Sequence, residues 1–288
     1  MKAIFKKELR SFFLSMTGYA LIAFLITFVG IYFMIYNIGY GYPYFAYTLS
    51  GVALVLMILI PVLTMRSFAE EKKNRTDQLL FTSPIKVRDI VIGKYLAMIS
   101  VFFIPNVIFC LFPLIIKAQG NASLLSDYVA IFEFFLIGCA FTAIGMFFSS
   151  LTESPMIAAV ITFAVTLILY IWETLIGYLP GSGLANLAII IVVTVCAAAL
   201  LYYINRNRYL SMILASAAVI TEVIIYIADS SLFENRVSSI LSGLDMVGAF
   251  NNAAFNNIFD LPGTIVNITV IAVFIFLTVQ SIEKRRWS

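Results

Sequence analysis

Apolar runs of about twenty residues, separated by short polar loops, recur along almost the whole of this 288-residue chain. A helix of that length crosses the roughly 30 Å hydrocarbon core of a bilayer while satisfying its own backbone hydrogen bonds. A composition of 62% hydrophobic residues and a mean hydropathy of +1.03 exclude an ordinary soluble domain. The runs predict an all-α, polytopic membrane protein with about eight transmembrane spans: 17–37, 46–65, 95–116, 128–149, 156–178, 184–204, 209–228 and 263–281.

The distribution of basic residues predicts how these spans are oriented. When the N-terminus is placed in the cytoplasm, sixteen of the eighteen Lys and Arg residues fall on the cytoplasmic side, and only Lys117 and Arg236 fall outside. Such an excess marks the cytoplasmic face of membrane proteins. Both termini are therefore predicted to be cytoplasmic. Because topology accounts for the basic residues, no nucleic-acid partner is expected.

Several kinds of chemistry are missing from the sequence. The chain has no histidine, and its three cysteines lie inside apolar runs, so neither a zinc site nor a disulfide framework is predicted. Without histidine, and with Asp residues only in predicted loops, an intramembrane aspartyl protease or metalloprotease is excluded, whereas a lipid transferase stays open. No Gly-Lys-Ser/Thr phosphate loop occurs either. We predict no catalytic residue, no metal site and no cofactor bound by this chain.

The first sixteen residues predict an interfacial helix. On a helical wheel the apolar residues fall within an arc of about 100°, and the basic residues lie outside it. The apolar face comprises Phe5, Leu9, Phe12, Phe13 and Met16. Such a helix, 1–16, lies along the inner leaflet with its basic residues toward anionic headgroups. It serves either as a topology anchor or as an elbow helix that braces a partner.

Residues 66–88 form the one densely charged stretch, with nine charged residues in 23. The second span is expected to continue as a helix through Glu71 and to break near Asn74. Thr76 then suits the N-cap of a short helix over 77–82, because its hydroxyl can accept from a free backbone N–H. This helix must stop before Pro84, which we expect to begin the next helix. The segment 66–94 is thus predicted to be a cytosolic hairpin.

The tip of this hairpin carries three consecutive apolar residues, Leu79, Leu80 and Phe81. Their exposure to the cytosol is unfavourable unless a groove on a partner receives them. Either these three side chains form a docking surface for a partner, or they fold back onto the helical bundle.

Four stretches carry a resemblance to a known family. Residues 66–85 resemble the coupling-helix stretch of ABC-2 type transporter permeases, and 149–159 resemble the turn between the fourth and fifth spans of these permeases. Residues 276–287 and 259–262 resemble the gliding-motility-associated branch. Pro155 departs from the polar residue expected in the second stretch. The resemblance implies a core smaller than eight spans, so the pair of spans around Asn205–Arg208 is an addition in this branch or an error of assignment.

The resemblance implies a single transmembrane permease domain over 1–288 in a bacterial inner membrane. ATP and Mg²⁺ would be bound by a separate cytosolic ABC ATPase subunit, and a second permease copy or a homologous permease would complete a dimer. The hairpin would transmit ATPase closure to the second and third spans, for export or for force transmission. The residues implied in ATPase docking are Glu70, Glu71, Arg75, Thr76, Leu79, Leu80, Phe81, Thr82 and Pro84.

Two features of the outer half remain open between a functional and a structural interpretation. Glu133, Glu173 and Glu222 lie within predicted spans, where ionisable residues are costly. They form an acidic vestibule for a cationic or polyhydroxylated substrate, or they are helix-end acids held by neighbouring polar groups. The segment 229–262, with apolar residues at helical spacing over 237–247, predicts an outer amphipathic helix. It acts as a gate, a seat for an extracytoplasmic auxiliary protein, or a connector.

Two other functions compete with that of a permease subunit. A stand-alone secondary transporter would need ionisable groups near the midplane and broken helices in repeated halves. A membrane anchor of a multiprotein complex would need only the spans and a docking surface. Neither alternative explains the charged hairpin as directly as a permease subunit does.

Overall fold

The computed structural model describes residues 1–76, 85–120, 122–205, 208–256 and 258–287, and the regular elements among them are all helical. In chain order they are α1 Lys2–Leu14, α2 Met16–Phe33 with a π-helix Met34–Gly39, α3 Ala46–Thr64, α4 Ala69–Lys73, α5 Val87–Phe109, α6 Phe112–Gln119, α7 Leu124–Leu151, α8 Pro155–Tyr170, α9 Trp172–Gly177, α10 Gly183–Asn205, α11 Arg208–Ala228, a 3₁₀-helix Ser230–Phe233, α12 Arg236–Ser242, α13 Gly248–Phe255 and α14 Leu261–Trp287. The all-α prediction is confirmed.

The packing of the helices divides the chain into two compact units. One unit comprises Met1–Tyr170 and Met246–Ser288, and the other comprises Ile171–Asp245. A single permease domain over 1–288 stays a prediction, and each unit is described by itself below.

Helix α7 forms the centre of the first unit, where it packs against α3, α5, α8, α13 and α14. Its sequence permits this close packing because Gly138 and Gly145 leave no side chain between helices. The Phe102 ring fills the space at Gly138, and Thr64 and Thr162 fill the space at Gly145. A further group of buried rings joins the same core: Phe109, Phe134, Phe141 and Phe250.

Within the described ranges, five helices are long and apolar enough to cross a membrane by length and composition. They are Met16–Gly39, Ala46–Lys73, Val87–Gln119, Leu124–Leu151 and Leu261–Arg285, and a bent pair, Ala215–Ala228 with Ser230–Ser242, makes a sixth when counted as one span. A multi-pass membrane protein is thereby supported with five to six candidate spans, whereas the count of eight is not confirmed. The predicted span 156–178 is divided at Ile171, where α8 and α9 separate into two short helices.

The third predicted span also contains a break, and here a proline explains it. Helix α5 continues through Pro105 but ends at Phe109, and α6 starts at Phe112 with Pro113 in its first turn. Proline has no backbone N–H to donate, so it fits the first turn of a new helix better than the interior of an old one. The two helices together still make one candidate span.

The charged hairpin differs from the prediction in two places. The second span does not run unbroken through Glu71, because α3 ends at Thr64 and α4 begins only at Ala69. The helix after the hairpin begins at Val87 and not at Pro84, because the backbone of Lys86 is extended, with ψ of 137°. The break near Asn74 is confirmed, since Arg75 adopts a left-handed conformation with φ of 57°.

The predicted amphipathic helix over 237–247 is wrong. Helix α12 ends at Ser242, Gly243 follows it, and α13 starts only at Gly248. Apolar spacing alone did not reveal this turn, because glycine favours a helix end regardless of the pattern around it. The segment 229–262 is therefore a series of short helices, and its place on the outer side stays a prediction.

Candidate functional site

The predicted docking tip lies mostly outside the described residues. This applies to the short helix 77–82 and to Leu79, Leu80, Phe81, Thr82 and Pro84. The described docking candidates, Glu70, Glu71, Arg75 and Thr76, stand at the end of α4 and in the turn after it. In that turn the Thr76 hydroxyl donates a hydrogen bond to the backbone oxygen of Glu71 at 3.3 Å. The two acids, one residue apart, differ sharply in their surroundings.

Glu71 points inward to a buried lysine on α5. Lys94, whose side chain is only 3% exposed, donates to Glu71 Oε1 at 2.8 Å and to Glu8 Oε1 of α1 at 3.1 Å. It also donates to the backbone oxygen of Ser67 at 2.9 Å, and its ammonium lies 5.2 Å from the ring centroid of Phe68. Two carboxylates and a carbonyl thus accept from the ammonium, which offsets the cost of burying it. We call Glu8, Glu71 and Lys94 the charged junction.

The charged junction ties three helices together at the ends of the predicted spans. Glu8 belongs to α1, Glu71 to α4 and Lys94 to α5, and Lys7 of α1 lies 3.6–3.8 Å from both carboxylates. Helix α1 packs directly on α5, where Ile4 contacts Gly93. Glu70, by contrast, is 48% exposed and pairs loosely with Arg66 at 3.9 Å. Of the two predicted acids, Glu70 is therefore the one whose carboxylate faces outward.

A second anchor holds the beginning of the hairpin to the end of α7. The Ser149 hydroxyl accepts hydrogen bonds from the backbone N–H groups of Phe68 and Ala69, both at 3.1 Å, and donates to the Met65 oxygen at 3.1 Å. These groups lie at the break between α3 and α4, where no helix satisfies them. The ammonium of Lys72 also donates to the backbone oxygen of Ser150.

Two of the four sequence stretches that carried the family resemblance thus contact each other. Residues 66–85 and 149–159 are far apart in sequence, and the Ser149 hydroxyl joins them directly. Near the middle of the second stretch, Glu153 forms an exposed ion pair with Arg285 of α14 at 3.2 Å. Sequence reasoning missed Lys94, Glu8 and Ser149 as functional candidates. The signal for Lys94 was a lone lysine at the start of an apolar run.

Glu133 lies buried between α7 and α14. Its Oε1 accepts a hydrogen bond from the Thr264 hydroxyl at 2.5 Å, and its other oxygen has no hydrogen-bond partner among the described residues. Thr264 lies in the first turn of α14, and its hydroxyl also lies 2.7 Å from the backbone oxygen of Asp260, so its single proton is shared between these two acceptors. Asp260 in turn accepts from the Gly263 N–H at 3.2 Å, as an N-cap does.

Glu173 and Glu222 belong to the second unit. Glu173 is exposed in the first turn of α9, and Glu222 is half-buried on α11. An acidic vestibule that combines all three glutamates stays a prediction. In the same unit Trp172 donates to the Leu241 oxygen at 3.0 Å and so holds α9 to α12. At the bend after α11, hydrogen bonds from Ser231 lower the pKa of the exposed Asp229.

Polar groups also organise the tyrosine-rich connection between α2 and α3. The Asn37 side chain donates to the backbone oxygens of Tyr42 and Tyr44 at 2.8 and 3.0 Å, and it accepts from the Thr48 hydroxyl at 2.6 Å. Asp127 of α7 accepts from the Phe45 N–H at 2.8 Å, at the start of α3. One buried amide and one buried carboxylate thus fix this turn.

Comparison with known families identifies the family of this chain. The model of the ABC-2 family transporter proteins matches residues 44–280, which include the hairpin, the Ser149 contact and most of α14. The chain belongs to the ABC-2 family of transporter proteins. Comparison with curated proteins and with solved structures gave no significant match.

Membership of the ABC-2 family makes the chain a multi-pass membrane permease component of an ABC transporter. The family is a component of membrane transport and implies association with an ATPase subunit. In this ABC-2 protein the charged junction and the Ser149 contact both lie beside the segment that the family resemblance assigns to coupling. Among the described residues, no group of three or more His, Cys, Asp or Glu side chains is arranged to hold a metal ion.

Proposed function

We propose that this ABC-2 permease couples ATP hydrolysis in a separate cytosolic nucleotide-binding subunit to export or force transmission across a bacterial inner membrane. The docking element is the segment 77–82, with Leu79 and Leu80 as its apolar anchor. ATP and Mg²⁺ are bound by the partner subunit. A second permease copy or a homologous permease completes the transporter, and the sequence of 276–287 favours the gliding-motility-associated branch.

The observation that carries this proposal is that the first arm of the hairpin is held from two sides. Lys94 of α5 binds Glu71 at 2.8 Å, and Ser149 of α7 binds the Phe68 and Ala69 amides at 3.1 Å. A docking element can move helices as rigid bodies only when it does not bend away from them under load. These contacts supply that stiffness.

The geometry revises which residues we assign to the ATPase contact. Glu71 is engaged by Lys94, so we assign it to positioning the hairpin. Glu70 and Arg75 are exposed beside the docking segment and remain suited to polar contacts with a partner. Thr76 is also exposed, and its hydroxyl donates back to α4.

We further propose eight spans with both termini cytoplasmic and α1 as the interfacial elbow. The distribution of Lys and Arg supports this topology, and α10 and α11 supply the helical pair that hydropathy predicted around Asn205–Arg208. Helix α1 supports the elbow role, because its Phe5, Leu9, Phe12 and Phe13 are half-buried whereas Lys6 and Arg10 are exposed. An extracytoplasmic auxiliary protein would contact the segment 229–262.

Co-purification tests the coupling assignment. The tagged permease is extracted in mild detergent from a host that also expresses the ATPase subunit, and the ATPase-to-permease ratio is measured. We expect a stoichiometric ATPase with the wild-type permease and its loss when Leu79→Asp and Leu80→Asp are combined, because two desolvated charges disfavour an apolar seat.

The matched control combines Asn74→Asp with Gln78→Asp, which adds the same two negative charges to the same hairpin and keeps both leucines. This control should retain the ATPase. If the double leucine variant still binds the ATPase at the wild-type ratio, the segment 77–82 is not the docking element.

A further inference from the structure

An open groove with charged and apolar walls lies between α1 and the first arm of the hairpin. Its volume is about 800 Å³, within the range of small-molecule sites. One wall comes from α1 through Lys7, Glu8 and Ser11, and the other from Arg66 and Glu70 at the end of the second predicted span. The charged junction forms part of its lining. The function proposed above uses Glu70 and Glu71 of this lining but gives the groove itself no ligand.

The charges on the described residues that line the groove are balanced. Three cations, Lys7, Arg66 and Lys94, face three carboxylates, Glu8, Glu70 and Glu71. Within this set Lys94 is neutralised by Glu8 and Glu71, whereas Lys7, Arg66 and Glu70 stay substantially exposed at the rim, with 63%, 54% and 48% of their side chains accessible. An anionic ligand gains no net attraction from such a balance. A ligand with one charge of each sign can bind both kinds of group.

The position of the groove limits what such a ligand is. Thr17 lies in the first turn of α2, and Arg66 lies two residues after the end of α3, so the groove lies at the ends of the first two candidate spans. In the topology proposed above, which this inference uses, these ends are cytosolic. Lipid headgroups occupy that level of a bilayer. Next to the groove, Leu14 and Met16 expose 76% and 88% of their surface, as suits contact with acyl chains.

We infer that this groove binds the zwitterionic headgroup of phosphatidylethanolamine from the inner leaflet. Arg66 and Lys7 bind the phosphate, and hydroxyls such as that of Ser11 add hydrogen bonds. Glu70 accepts from the primary ammonium of the lipid. A choline headgroup has no N–H to donate, so the groove discriminates against phosphatidylcholine.

The neighbouring face of α1 offers an internal contrast. A second groove there, of about 730 Å³, shares Lys7 and Ser11 with the first groove, whereas Lys6 and Arg10 line only the second. None of its described lining residues is a carboxylate, so its chemistry suits anionic lipids such as phosphatidylglycerol. Variants at Lys6 and Arg10 therefore serve as controls for variants at Arg66 and Glu70, which line only the first groove.

Native mass spectrometry of the intact permease tests the inference. The protein is reconstituted in an equimolar mixture of phosphatidylethanolamine, phosphatidylcholine and phosphatidylglycerol, released in mild detergent, and the retained lipids are counted. We expect phosphatidylethanolamine to be retained over phosphatidylcholine, and retention to fall about tenfold when Arg66→Gln is combined with Glu70→Gln, because two charge-assisted hydrogen bonds are lost. Both side chains are exposed, so the thermal unfolding midpoint should stay unchanged.

The control variant combines Lys6→Gln with Arg10→Gln and should keep phosphatidylethanolamine while losing phosphatidylglycerol. Equal retention of the ethanolamine and choline lipids would overturn the inference. So would full retention of phosphatidylethanolamine by the Arg66/Glu70 double variant. Displacement of the lipid by soluble glycerophosphoethanolamine would instead assign the groove to a free headgroup and reject a lipid site. None of these outcomes depends on the ATPase, so the coupling proposal is tested separately.

Discussion

Lys94 Nζ lies 2.8 Å from Glu71 Oε1, and this contact joins the two arms of the charged hairpin across the segment between them in the sequence. Because Glu8 accepts from the same ammonium at 3.1 Å, the N-terminal helix belongs to the same assembly. A movement of the hairpin must therefore carry α1 with it or break a buried ion pair. The stability of this junction can be measured directly.

Replacement of Lys94 should destabilise the fold. Lys94→Met leaves Glu8 and Glu71 with only the exposed Lys7 ammonium, at 3.6 and 3.8 Å, as a cationic partner. The loss of one partner from a buried ion pair typically costs about 3 kcal/mol. Unfolding by denaturing detergent in mixed micelles measures the change in free energy. Combining Lys94→Met with Glu8→Gln and Glu71→Gln removes the charges together and should recover most of the loss. A failure to recover would show that packing, and not charge, accounts for the effect.

Replacement of Ser149 should loosen the beginning of the hairpin without unfolding the protein. Ser149→Ala removes the acceptor of the Phe68 and Ala69 amides, and an unsatisfied buried donor costs about 1–3 kcal/mol. Hydrogen–deuterium exchange at these two amides should then accelerate by about tenfold or more. Ser100→Ala is the matched control, since that hydroxyl donates to Leu96 O within its own helix. Equal acceleration in both variants would contradict the anchoring role.

Two glycines should respond in opposite directions to the same added methyl group. At Gly145 a Cβ meets Thr64 and Thr162, so Gly145→Ala should destabilise by about 1–3 kcal/mol through overpacking. At Gly30 nothing lies within 4 Å, so Gly30→Ala should be neutral or stabilise by up to about 1 kcal/mol through helix propensity. Thermal unfolding of the two variants compares them. A stable Gly145→Ala protein would mean that α3, α7 and α8 do not pack as closely as described.

Glu133 should tolerate an amide better than an alanine. Glu133→Gln keeps an oxygen that accepts from Thr264, whereas Glu133→Ala leaves this hydroxyl without that acceptor and opens a cavity between α7 and α14. We expect little change for the amide and a loss of about 2–5 kcal/mol for alanine. Unfolding free energies in micelles give the comparison. If Glu133→Gln is as destabilising as alanine, the negative charge itself is required, as a cationic ligand would demand.

Much of the secondary structure followed from local signals in the sequence. Hydropathy located the long helices, and the break near Asn74 followed from the density of charged residues. The pair α10 and α11 was predicted around Asn205–Arg208 because charge interrupts an apolar run there. The break at Ile171 has no comparable signal, since neither glycine nor proline adjoins it. The hydropathy pattern around Ile171 still predicts a continuous helix.

The contacts of the candidate site could not be predicted, because they join residues that are distant in sequence. Lys94 lies 86 positions from Glu8, and Ser149 lies 81 positions from Phe68. Composition suggests that a buried lysine needs an acid, but it does not say which one. Glu71 was accordingly assigned to a partner surface, whereas its carboxylate binds Lys94. The family resemblance found the right segments without predicting that they contact each other.

Of the 18 most apolar consecutive residues of α7, 83% are buried inside the protein. The corresponding share is 17% for α14 and 28% for the first candidate span. The stability of α7 within the membrane therefore depends on how closely its side chains fit the neighbouring helices, and hardly on contact with acyl chains. A photoreactive reagent dissolved in the lipid should label α14 and α2 heavily and largely bypass α7. When each position is substituted in turn, the effect of a substitution in α7 should follow the change in side-chain volume. The effect of a substitution in α14 should follow the change in hydropathy.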